Sequence, residues 1–149
     1  MFCGWGGSLR RMKEHGNVLL SGAEKEAVVG KVFDVTSVPS AWAQENSDLL
    51  AKFLSVTASL NDAYAADKAS MIDDIAKQSG MDLDGTKAVI DIFGFPTIAD
   101  QLSAEWFDGY LAAYLKASAD ALEESGNIAA LDSYEALIDS SYLEAAGKM

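Results

Sequence analysis

The sequence predicts a mostly helical chain with two short β-strands near its start. Three observations lead there. The residues from 40 onward repeat apolar positions at helical spacing, whereas residues 17–20 and 32–38 have strand composition. Glycines and prolines punctuate the chain where elements should stop. Half of the 149 residues are hydrophobic, enough for a sizeable core.

The opening stretch runs over residues 2–38. Gly4, Trp5, Gly6 and Gly7 form a glycine-rich loop around a large aromatic. Ser8 caps a short expected helix that Gly16 closes. Asn17, Val18, Leu19 and Leu20 read as a short buried strand, and residues 21–31 as a polar connection with room for a turn of helix. The second strand, Val32-Phe33-Asp34-Val35-Thr36-Ser37-Val38, stops at Pro39. Trp5 has two readings here: a core aromatic beside a turn, or a platform for a small molecule where loop, helix and strand meet.

About five helices should follow. The first is the longest, with Trp42, Leu49, Leu50, Phe53, Leu54, Val56, Leu60 and Tyr64 on one apolar face and Asn46, Ser47 or Asp48 as cap. Residues 68–79 form the next, with Met71, Ile72 and Ile75 inward and Gly80 as stop. Asp84 is the expected cap of residues 85–93. Thr97 or Ser103 starts a fourth, with Leu102, Trp106, Tyr110, Ala113, Tyr114, Ala117 and Leu122 as its buried stripe. Residues 133–141 form the last.

The net charge of −12 is uneven: residues 1–31 hold five Lys/Arg and three Asp/Glu, and residues 32–149 hold six and twenty. Such an acidic body repels nucleic acid and anionic membranes, so no nucleic-acid partner is expected. One cysteine excludes an internal disulfide, and one histidine argues against a histidine-based metal site. Cys3 and His15 have no third group to orient them. The glycine loop lacks the Gly-Lys-Ser/Thr ending of a phosphate loop. The expectation is therefore a binder, with no enzyme activity, cofactor or metal. No 18-residue apolar run exists, so no membrane span is expected, and residues 1–5 have neither the basic nor the apolar region that a signal peptide would need.

The ordered set from Trp5 to Leu20, followed after a gap by Phe33-Asp34-Val35, resembles the later part of taurine- and alkanesulfonate-type substrate-binding proteins of bacterial ABC importers. That resemblance implies an α/β fold of the periplasmic binding protein type, represented by its C-terminal half. Residues 1–31 would end the second lobe and make the crossover. Residues 32–149 would supply the returning strand and the helical part of the first lobe. The implied ligand is taurine or a similar sulfonate, delivered to a membrane permease, with the full-length parent in the periplasm. Trp5 would pack on the ligand, Gly4 or Gly6 backbone N–H groups would bond its anionic head, and Asp34 would hold its ammonium group. The other reading of Asp34 is a solvent-facing or hydrogen-bonded strand residue. Gly6-Gly7 stands where many relatives carry Asp-Pro.

Two strands do not make a stable sheet alone. A second expectation is thus a self-associating, mainly helical interaction domain without a small-molecule ligand, a second copy completing the strands.

Overall fold

The computed structural model describes residues 6–149. They form nine α-helices: α1 Gly6–His15, α2 Gly22–Val29, α3 Ser40–Glu45, α4 Ser47–Ala66, α5 Lys68–Ser79, α6 Leu83–Ile90, α7 Ile98–Gln101, α8 Tyr110–Glu124 and α9 Ser141–Ala146. A short 3-10 turn covers Glu135–Leu137. None of the helices is long and apolar enough to cross a membrane.

No strand forms among the described residues, which corrects the expected α/β class. Residues 17–20 are bends and irregular backbone, with Leu19 78% exposed. Residues 31–39 are irregular too, with Val32 and Val35 exposed. The physical reason is the lack of a partner. β-Branched composition measures fit to a pleated, half-buried surface, and every regular element around these segments is a helix.

The connection at residues 21–31 is instead two turns of helix. Ser21 Oγ accepts from the Glu24 N–H at 3.3 Å, and the Ser21 N–H donates to Glu24 Oε2 at 2.8 Å. This reciprocal capping box satisfies two donors at the start of α2.

The chain divides into two units. The first takes in the described residues up to Asp34, together with Ala63–Phe95. Here α5 and α6 pack on each other and α1 approaches α6. Tyr64, Ile72, Ala76 and Thr86 are buried. Met71 and Ile75 are half-buried beside Ile72, as their spacing predicts. Gly80 ends α5 with φ 70°, a left-handed turn that glycine takes without strain. The cap of α6 is Asp82, two residues before the expected Asp84: its carboxylate accepts from the Gly85 N–H at 2.6 Å. Phe95 meets the Tyr64 ring edge-on at 5.1 Å.

The second unit is Val35–Asp62 with Pro96–Met149. Its buried apolar residues are Ala43, Leu50, Ala51, Ala58, Leu111, Ala119, Leu143 and Ala146. Five of these eight are alanines, so this core holds little side-chain volume. On α8 the buried positions are Leu111 and Ala119; Ala113, Ala117 and Leu122 of the expected stripe are exposed. The half-buried rings of Tyr110 and Tyr114 stack at 5.9 Å. The final helix lies at Ser141–Ala146, beyond the expected residues 133–141.

Candidate functional site

Two of the four residues expected to hold a ligand, Gly4 and Trp5, lie outside the described residues. Gly6 opens α1 with φ 60°. A Cβ there would meet nothing within 4 Å, so its glycine serves backbone conformation and not close approach. Asp34 is exposed in the irregular stretch between α2 and α3, and no strand carries it. Two hollows among the described residues, of about 250 and 270 Å³, include neither residue. One lies at the corner from Glu45 to Leu49. The other is lined by Leu102, Phe107, Asp108, Ser140 and Glu144, where Ser140 Oγ donates to Glu144 Oε1 at 3.3 Å. Both are open surface features with carboxylate rims, unlike an enclosed ligand pocket.

The altered pKa values also point away from a reactive centre. Glu24 is held below the usual carboxylate range by the hydroxyl and backbone N–H of Ser21. Asp100 is lowered in the same way by Thr97, which caps α7. Lys116 is raised by its hydrogen bonds to Asp120 one turn on, at 2.6 and 2.7 Å. All three are local helix contacts in water-exposed places. Among the described residues, no group of three or more His, Cys, Asp or Glu side chains is placed to hold a metal ion.

The feature that stands out is the outer face of α4. The sequence suggests one apolar face, but the structure resolves two. Leu50, Ala51 and Ala58 are buried and Leu54 is half-buried. Leu49, Phe53, Val56 and Leu60 are 57%, 55%, 60% and 53% exposed. At about 100° per residue, the two sets are centred roughly 140° apart on the helix. The exposed set has spacings of four, three and four residues, so it forms a straight stripe about one and a half turns either side of its middle. More than half of each side chain faces water, which places roughly 400 Å² of mainly apolar surface in one strip, within the range of the largest patch on an ordinary monomer, often a functional one.

Two hydroxyls flanking the strip need no external partner. Thr57 Oγ1 donates to the Phe53 carbonyl at 3.0 Å, and Ser59 Oγ to the Val56 carbonyl at 2.8 Å. A covering surface would leave neither hydroxyl donor unsatisfied. Sequence reasoning missed this face by assigning every apolar residue of α4 to one core. Plotting Leu49, Phe53, Val56 and Leu60 apart from Leu50, Leu54 and Ala58 on a helical wheel would have separated them.

No family model matches this chain, and neither the curated proteins nor the solved structures include a significant match.

Proposed function

We propose that this chain is a mainly helical interaction domain that works by self-association through the outer face of α4, without a small-molecule ligand. The carrying observation is the apolar strip of Leu49, Phe53, Val56 and Leu60 on a helix whose other face is already buried. A helix apolar on two faces has one face more than its own fold uses. The hydroxyls beside the strip are already bonded within the helix, which lowers the cost of covering it.

The solute-binding reading required a returning strand to set Asp34 opposite the Trp5 loop. That strand does not form among the described residues, and Asp34 faces solvent. With the α/β frame gone, the transport role keeps no support from the fold.

Light scattering over a hundredfold range of protein concentration tests the proposal, alongside thermal unfolding with taurine and alkanesulfonates. The expected result is a mass that rises from one copy towards two, with no shift of Tm by the sulfonates. A single-copy mass at every concentration overturns self-association. A saturable rise in Tm with taurine would bring the solute-binding reading back.

A further inference from the structure

Resting on the self-association reading, we infer that the surface covering the α4 strip is the same strip of a second copy, packed antiparallel about a two-fold axis between Phe53 and Val56. Two observations carry this, and a third sets its test. The first is the spacing. Gaps of four, three and four residues read the same from either end of the helix. An antiparallel copy therefore sets Leu49 against the second copy's Leu60, and Phe53 against its Val56. Large then meets small at the centre, as in packed cores. A parallel copy would stack Phe53 on Phe53. Antiparallel helices also oppose their dipoles favourably.

The second observation is area. The strip supplies roughly 400 Å² per copy, about half of the ~800 Å² per partner in a standard interface. The polar flanks Lys52, Thr57 and Ser59 complete it as a rim, the usual arrangement of apolar centre and polar edge. An interface of this kind gives a weak, reversible dimer and not an obligate one.

The third is charge. The unit that holds the strip carries three Lys/Arg and thirteen Asp/Glu, a balance of −10. Two such units repel, so added salt should tighten a dimer of identical copies. A basic partner docking on the same face would loosen with salt, which separates the two occupants.

The test uses the full chain with Cys3→Ser, so that each variant has one cysteine. Leu49→Cys and Leu60→Cys are treated with a short bismaleimide, separately and mixed, with the mass followed by sedimentation. The antiparallel dimer cross-links only in the mixture, joining position 49 to position 60. Like positions lie about 16 Å apart along the axis, eleven residues at 1.5 Å each. Phe53→Glu should weaken the dimer at least tenfold while keeping the helical circular dichroism.

Cross-links within each single variant, and none between the two, would overturn the antiparallel arrangement and leave self-association standing. A dimer that never cross-links at these positions would place the interface elsewhere, overturning this inference and the α4 face of the proposed function while leaving self-association itself standing. A chain that stays monomeric, or a dimer that weakens with salt, overturns the second-copy occupant; the monomer result also removes the proposed function.

Discussion

The two faces of α4 have nearly the same chemistry and opposite fates. Leu50 and Ala58 are sealed at 5% and 7% exposure, while Leu49 and Phe53 on the same helix stand in water at 57% and 55%. Hydrophobicity alone therefore does not decide burial; the number of neighbouring elements does. The second unit has a core made largely of alanine. Such a core covers one side of a helix closely and leaves nothing bulky to wrap round to the other.

The sharpest way to break this comparison is to truncate one residue on each face. Leu50→Ala should lower stability by about 2–3 kcal/mol, the scale of lost burial plus a residual cavity. Phe53→Ala, in solution dilute enough to keep the chain monomeric, should change it by less than about 0.5 kcal/mol, as at other exposed sites. Urea titration of both variants measures the difference. Equal losses would mean that the outer face is core.

A matched pair of hydroxyls repeats the comparison on a smaller scale. Thr86 and Thr57 make the same bond, from Oγ1 to the carbonyl four residues earlier, at 2.9 and 3.0 Å. Thr86 is 1% exposed and Thr57 faces solvent. Thr86→Val should cost about 1 kcal/mol, because the hydrogen bond it removes is made by a side chain sealed from water. Thr57→Val should be near neutral in the monomer. The same urea titration reads both.

Salt sharpens the account of the outer face. Raising ionic strength from about 0.05 to 0.5 M shortens the screening length several-fold, so the dimer should tighten by a few-fold. Light scattering at fixed protein concentration follows this.

The smallest effect concerns the caps, which touch neither face of α4. Glu24 and Asp100 both have folded-state pKa values lowered by their capping hydroxyls. A lowered carboxylate contributes stability above its unfolded pKa and loses it as pH falls through the folded value. Both lie in water, so the loss is slight. Ser21→Ala and Thr97→Ala should flatten the acid limb of a Tm-against-pH curve without altering self-association.

How much of this was readable in advance varies along the chain. α5 was legible to the residue, since Met71, Ile72 and Ile75 keep one period and Gly80 supplies an unambiguous stop. The cap of α6 was misplaced by two residues, because Asp82 and Asp84 are chemically equal and only the Gly85 N–H geometry selects Asp82. α2 was hidden for a different reason. It has no apolar period to reveal it, and its one clear signal is the Ser21 and Glu24 pair. The strands at residues 17–20 and 32–38 were misread because β-branched residues say what would suit a sheet, not that a sheet exists. Of the expected site, Gly6 and Asp34 line neither of the two hollows described above, while Gly4 and Trp5 lie outside the described residues. The α4 strip was present in the sequence as Leu49, Phe53, Val56 and Leu60. Interleaving with Leu50 and Leu54 disguised it, since burial on one side only becomes visible once the fold has chosen that side.

Sedimentation equilibrium of the unmodified chain beside Phe53→Glu tests the central claim most directly. The account predicts a reversible monomer–dimer equilibrium for the first and a monomer of unchanged helicity for the second. Identical masses for the two proteins at every concentration would contradict it.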